Sequence, residues 1–260
     1  MLFCDWTFKI LIERNGRKPY FFERSYCHRE ESVINAADYV VSLFPDCASR
    51  MKLECPKANI YSFDTNVINI LYDRPLLEHD VIAKKGKRMN IVFVGNQGYK
   101  DSLMLLLRSF QSVQSVLSDV ELHIIGMTSE NTGVNGHNIH YYGYLRKDVE
   151  TERELYYNTL ISASVIVNVS PNWGGYSSVI EAMYFYTPVI VAPYQEFVAE
   201  FGEDISFGYY NRSFTEECLE RNLVSLLQSN HYEAMCRAAH ERVKNYTWAE
   251  YVNKIEELIR

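Results

Sequence analysis

Thirty consecutive residues, 164–193, constrain the fold of this chain more than any other stretch. They read Ser-Val-Ile-Val-Asn-Val-Ser-Pro-Asn-Trp-Gly-Gly-Tyr-Ser-Ser-Val-Ile-Glu-Ala-Met-Tyr-Phe-Tyr-Thr-Pro-Val-Ile-Val-Ala-Pro. Residues 165–169 form a mostly apolar, β-branched run, long enough for a buried strand and too short for a helix. A polar loop with Gly174 and Gly175 follows. Ser177 or Ser178 is then placed to cap a helix whose apolar face is Val179, Ala182 and Met183. Pro188 stops that helix, and Val189-Ile190-Val191 opens a second buried strand. Strand, glycine loop, helix and strand make one βαβ unit of a parallel sheet. Ligands of such sheets bind at the carboxyl ends of the strands, where loop amides and a helix N-terminus face an anion. Glu181 lies about one turn inside the helix. A carboxylate there repels phosphate and suits the hydroxyls of a sugar; the competing reading is a buried acid that ties the loop to its own helix.

The same alternation runs along the rest of the 260 residues. Residues 1–12 read as a strand or strand end followed by apolar residues, with no earlier strand to pair with. An exposed apolar sheet edge or face is therefore expected in the N-terminal lobe. Residues 13–30 mix Arg14, Arg17, Lys18, Arg24 and Arg29 with Tyr20, Phe21, Phe22 and Tyr26. The expected arrangement is a solvated basic face with the aromatics turned into the core; the sharper alternative is contact with an anionic membrane surface or a lipid-linked acceptor. A helix over 30–37, a strand over 39–44, a helix near 45–53 and a strand over 59–63 follow. Residues 64–88 break the pattern, and Lys84-Lys85-Gly86-Lys87-Arg88 reads as solvated charge in an interdomain linker.

From Met89 the alternation resumes. Ile91-Val92-Phe93-Val94 is a buried strand, Gly95-Asn96-Gln97-Gly98 its turn, and Asp101 caps a helix with Leu103, Leu106, Leu107, Phe110, Val113 and Leu117 at helical spacing. Strands are expected over 122–125, ended by Gly126, over 139–145 and over 205–209. Helices are expected over 152–163, 215–228 and 231–245, with a last one opening at Thr247-Trp248.

Composition narrows the function. A net charge of −7 and a pI near 5.6 argue against nucleic acid as a partner. No apolar run approaches the roughly 20 residues that span a bilayer, and no signal pattern opens the chain. The six cysteines lack Cys-x-x-Cys or Cys/His spacing and read as reduced, core-filling thiols of a cytoplasmic protein, so no metal is expected. Residues 91–126 lack a full Gly-x-Gly-x-x-Gly, and a strand followed by a glycine turn is by itself weak evidence for phosphate binding.

Ser170-Pro171, Gly174-Gly175, Glu181-Ala182-Met183 and Pro188-Val189-Ile190 together resemble the donor-binding motif of retaining GT-B glycosyltransferases, family 4 (glycosyltransferase group 1). Ala36-Ala37-Asp38-Tyr39-Val40-Val41-Ser42, the strand Asn138 to Leu145 and the closing Thr247-Trp248 resemble further elements of that family in the same order. Two departures stand out: Trp173 takes the place of the family's first Glu, and Tyr186 that of the glycine before Pro-Val. The first removes the carboxylate the family places near the donor sugar.

The resemblance implies an α/β, GT-B type chain: a Rossmann-like C-terminal domain with a partial Rossmann-like N-terminal domain. Residues 1–75 would be the partial acceptor-side domain, 76–88 the linker, 89–246 the nucleotide-sugar donor-binding domain, and 247–260 a helix crossing back to the N-terminal domain. It implies transfer of a sugar, with retention and without cofactor or obligatory metal, from a UDP- or GDP-linked donor to a glycan or lipid-linked acceptor. Surface polysaccharide synthesis, in the cytoplasm or peripherally on the inner membrane face, would be the setting. Glu181 would hold the nucleotide ribose and Lys100 would balance the departing diphosphate, its alternative being an exposed helix-start lysine. Gly95, Asn96, Gly126, Tyr144, Gly174, Gly175, Tyr176, Ser177 and Ser178 would complete the donor site. The runner-up is a truncated or non-catalytic nucleotide-sugar-binding subunit needing a partner chain, either a missing N-terminal half or a second copy in a homo-oligomer. A nucleotide-sugar epimerase would share the fold, but no His/Asp/Glu set supports it.

Overall fold

Three short parallel strands open the chain. The computed structural model describes residues 1–42, 44–63, 72, 74, 76–85, 88–171 and 176–260, grouped in two units. The first unit comprises Met1–Val67, Gln195–Gly202 and Trp248–Arg260; the second comprises Ile68–Tyr194 and Glu203–Thr247.

In the first unit β1 (Leu2–Phe3) is followed by α1 (Phe8–Arg14), α2 (Phe21–Ala36), β2 (Val40–Ser42), α3 (Pro45–Glu54) and β3 (Ile60–Ser62). The strands pair in the order β1-β2-β3, all parallel, with Leu2 opposite Val40 and Val40 opposite Ile60. β1 is an edge, and its Phe3 is exposed.

α2 begins nine residues before the helix expected over 30–37. Its N-terminus is fixed by Glu23, whose carboxylate accepts the Tyr20 N–H at 2.8 Å and the Arg17 guanidinium at 2.6 and 2.8 Å. Helical phase then settles the fate of the aromatics. Glu23, Cys27 and Ile34 face inward, whereas Phe21 and Phe22 stand 88% and 66% exposed and Tyr20, Tyr26 and Val33 are exposed beside them. The aromatics are thus not turned into the core, contrary to the reading of residues 13–30 as a basic face over buried rings.

The second unit starts with α4 (Glu78–Lys85), inside the run expected to be a linker with solvated charges. Lys85 overturns that expectation: it is buried, and its ammonium donates to the carbonyls of Leu160, Ile161 and Ala163 and to the Thr187 hydroxyl at 2.7–3.3 Å. The carbonyls belong to the end of α7 (Glu150–Ser162), where the helix dipole favours a cation.

Burial nevertheless pushes the Lys85 pKa down from 10.5 to about 7. The unfolded lysine therefore holds a proton that the folded one releases between pH 7 and 10.5, and this group's contribution to stability rises with pH through that window. Urea midpoints of the wild type and Lys85→Met should diverge in favour of the wild type as pH climbs from 7 towards 10. A constant difference across that range would contradict the assignment.

Six parallel strands form the second unit's sheet: β4 (Met89–Val94), β5 (Val120–Ile125), β6 (Ile139–Gly143), β7 (Val165–Asn168), β8 (Val189–Val191) and β9 (Gly208–Tyr210). Their order is β6-β5-β4-β7-β8-β9. This is the doubly wound arrangement, with its topological switch point between β4 and β7. Between them run α5 (Lys100–Val116), the short α6 (Ser129–Thr132), α7 and α8 (Ser177–Tyr184), and α10 (Glu216–Leu227) and α11 (Tyr232–Val243) follow β9. α9 (Gln195–Phe201) and α12 (Trp248–Ile259) belong to the first unit, where Arg14 pairs with buried Glu196, Gln195 with Asp46, and Tyr251 packs edge-on against Phe63.

The core follows the expected spacing. α5 buries Leu103, Leu106, Leu107, Phe110 and Val113 against β5, β7 and α10. Five such side chains contribute about 8–15 kcal/mol of gross burial energy. Asp101 sits in its first turn and does not cap it; the cap position is Tyr99. Tyr186, standing where the resemblance has glycine, adopts the left-handed conformation at φ 60° and stacks on His240 at 4.1 Å. The six cysteines are free, and all but half-buried Cys4 are buried.

Candidate functional site

The strand ends at the switch point are built for close approach. Gly126, directly after β5, has φ +97°, and a Cβ there would lie 2.4 Å from the Gly95 carbonyl oxygen. Its N–H donates to the Gly143 carbonyl at 2.6 Å, while the Gly95 N–H donates to the Ile125 carbonyl at 3.0 Å. The ends of β4, β5 and β6 are therefore laced together by backbone hydrogen bonds. Asn96 Oδ1 accepts the Gly98 N–H at 2.9 Å, which holds the turn Gln97–Tyr99 ahead of α5.

A pocket of about 600 Å³ opens above these ends. Gly95, Asn96, Gly126, Tyr144, Ser177, Ser178 and Glu181, all expected from the sequence, line it together with Tyr99, Lys147, Asp148 and Tyr156. Lys100 does not line it; it is an exposed residue at the start of α5. Tyr176 is buried beside Tyr194 and does not line it either. Gly174, Gly175 and Trp173 lie outside the described residues. The expected serine cap is not formed: Tyr176 occupies the N-cap of α8, and no side chain among the described residues caps the helix. Its first-turn amides, at Ser177 and Ser178, consequently adjoin the pocket.

Glu181 is the buried acid of this site. Lys147 Nζ lies 2.6 Å from its Oε1, and the Tyr156 hydroxyl donates to its Oε2 at 2.6 Å. The carboxylate thus binds the loop before α7 and α7 itself, not its own helix. Tyr156 is buried, and burial first, then the neighbouring Glu181 charge, pushes its pKa well above 10, so the phenol stays a donor. The loop that presents Lys147 is pinned at several points. The Arg146 N–H donates to Glu152, the Arg146 guanidinium pairs with Asp148, and Arg153 donates to the Lys147 carbonyl. A carboxylate has about four acceptor sites. With two in use, Glu181 keeps lone pairs for hydroxyls in the pocket, and Lys147 balances its charge.

Lys147 and Tyr156 escape sequence reasoning because no local pattern marks them; they are 34 and 25 residues from Glu181. The only sequence signal was position: Lys147 follows the end of β6, as Gly95 and Gly126 follow β4 and β5.

The doubly wound sheet and its switch-point pocket make the second unit Rossmann-like, and likeness to solved structures gives the fold as GT-B type. A point variant of S. aureus TarM, in complex with Fondaparinux, alpha-GlcNAc-glycerol and UDP, superposes with a TM-score of 0.69 at 16% identity, over 98% of this chain and 50% of that one. Sucrose-phosphate synthase from Thermosynechococcus elongatus gives 0.68 at 13% identity, over 99% of this chain and 67% of that one. WaaG, a glycosyltransferase involved in lipopolysaccharide biosynthesis, gives 0.62 at 14%, over 93% and 70%. The chain spans about half the length of the TarM structures. No curated protein sequence matches it. The sequence profile described as "Glycosyl transferases group 1" matches residues 88–229, more than half the chain. The chain belongs to that family.

Proposed function

We propose that the second unit binds a nucleotide-sugar and that the chain takes part in transferring the sugar, with retention, to a glycan or lipid-linked acceptor in surface polysaccharide synthesis. The observation that carries this reading is the Glu181 carboxylate, held by Lys147 and Tyr156 at the rim of a pocket over the switch point. Glu181 takes the ribose hydroxyls, and the strand-end glycines leave room for the donor. The amides at the start of α8 face the diphosphate. Lys100, next to the pocket-lining Tyr99, supplies a counter-charge as the leaving group develops. The donor is UDP- or GDP-linked, and no cofactor takes part. TarM and pneumococcal GtfA are recorded with UDP, which favours a uridine donor here.

Incubation of the whole chain with a panel of UDP- and GDP-sugars, followed by ³¹P NMR, tests the reading. Release of free nucleoside diphosphate from at least one donor is the expected result. Binding without release from any donor would instead favour a donor-binding subunit that needs a partner chain, a reading that Trp173 in place of Glu supports.

A peripheral site on a membrane fits the first unit. No helix among the described residues is long and apolar enough to cross a membrane. Phe21 and Phe22 instead stand exposed on α2, together with Arg24 and Arg29, as in a helix lying on an anionic surface. The chain should co-sediment with anionic vesicles and not with neutral ones, and Phe21→Ser/Phe22→Ser should weaken this by about tenfold or more. Equal partitioning of the variant and the wild type would remove the membrane assignment.

A further inference from the structure

Away from the pocket, toward the amino ends of β5 and β6, three side chains converge that the donor site does not use. Glu121 and His123 lie two apart on β5 and so share one face of the sheet. His140 lies on the edge strand β6, directly opposite His123 in the register. The imidazoles stack with centroids 4.9 Å apart. Glu121 Oε2 is 3.2 Å from His140 Nε2 and 3.6 Å from His123 Nε2. Both Nε2 atoms are shielded from solvent, yet neither has a hydrogen-bond partner among the described residues.

We propose that Glu121, His123 and His140 bind one divalent transition-metal ion of the zinc class, fastening the edge strand β6 to β5. Two imidazoles and a carboxylate are a donor set suited to zinc, with a fourth position left for water. Donors around a tetrahedral ion at bonds of about 2.0–2.1 Å lie roughly 3.4 Å apart. The three ligand atoms here already lie within 4.8 Å of one another. His123 also has the support that metal-bound histidines use: its Nδ1 is 2.7 Å from the Tyr142 hydroxyl, and the Tyr142 ring stacks on it. With Nδ1–H donating to Tyr142, the Nε2 lone pair points into the cluster.

Arg88, largely exposed, holds the other carboxylate oxygen, Oε1, at 2.7 Å and leaves Oε2 to face the histidines. The scattered cysteines, which led the sequence reading to expect no metal, take no part.

The test is titration of the chelator-treated whole chain with zinc chloride by calorimetry, and with cobalt chloride by visible absorption. One Zn²⁺ per chain, a raised melting temperature and the intense visible bands of four-coordinate Co²⁺ are expected. Losing a hydrogen-bond partner of a metal-bound side chain typically costs about 10–100-fold in metal affinity, so loss of a direct ligand should cost at least about a hundredfold. His140→Ala, at a half-exposed position, should show that loss while its metal-free melting temperature stays near that of the wild type. Glu121→Gln provides a second variant in case His140→Ala fails to fold. Absence of zinc uptake, or unchanged uptake in these variants through binding at cysteines or elsewhere, would overturn the proposal.

Discussion

Gly126→Ala is expected to destabilise the second unit by about 3 kcal/mol or more, because two costs coincide at this position. A φ of +97° is outside the range an alanine adopts readily, and its Cβ would meet the Gly95 carbonyl oxygen at 2.4 Å. That oxygen is backbone, so relief requires the ends of β4 and β5 to separate. Gly133→Ala is the control. Its φ is +70° but nothing lies within 4 Å of the added Cβ, so only backbone strain of about 1 kcal/mol applies. The urea midpoint should fall much further for Gly126→Ala than for Gly133→Ala. Equal shifts would mean that close approach of the strand ends contributes nothing.

The second large effect is expected at Glu181. Glu181→Ala removes the acceptor for the buried Tyr156 hydroxyl and for Lys147. An orphaned buried hydroxyl costs about 1–3 kcal/mol; the Lys147 side chain, 23% exposed, can turn to water and adds less. A total of about 2–4 kcal/mol follows. Adding Tyr156→Phe deletes the orphan, so the double variant should be less destabilised than the sum of the single ones, by about 1 kcal/mol or more. Strict additivity would show that the hydrogen bond in the structure is not a stabilising one. The coupling matters for function because it measures how firmly the carboxylate is oriented before any ligand arrives.

The parts of this molecule legible in its sequence are those decided locally. The β-branched runs 165–169 and 189–191 mark β7 and β8, because short buried strands leave few alternatives; α8 between them ends at Tyr184, before the left-handed Tyr186, and not at Pro188. α5 was legible because its leucines repeat at helical spacing. What was hidden depends on distant partners. Lys85 reads as one more charge in a basic run, yet the carbonyls that hold it lie 75–78 residues away. The start of α2 depends on Arg17 and Glu23 meeting, which begins the helix nine residues early and puts Phe21 and Phe22 on the outside. Tyr186 takes a backbone conformation normally reserved for glycine, which stacking on His240 accompanies. At the site, the strand-end glycines and Glu181 could be placed from their order along the chain, whereas Lys147 and Tyr156, which determine how Glu181 is held, could not.

The most direct measurement is calorimetric titration of the whole chain with UDP, GDP and their sugars, run side by side on the wild type and Glu181→Gln. A charge-assisted hydrogen bond from ribose to the carboxylate is worth about 1.5–3 kcal/mol. The account predicts one site in the wild type and an affinity lower by about tenfold to a hundredfold in a folded Glu181→Gln protein. Unchanged affinity in that protein, or no binding of any nucleotide by the wild type, would contradict it.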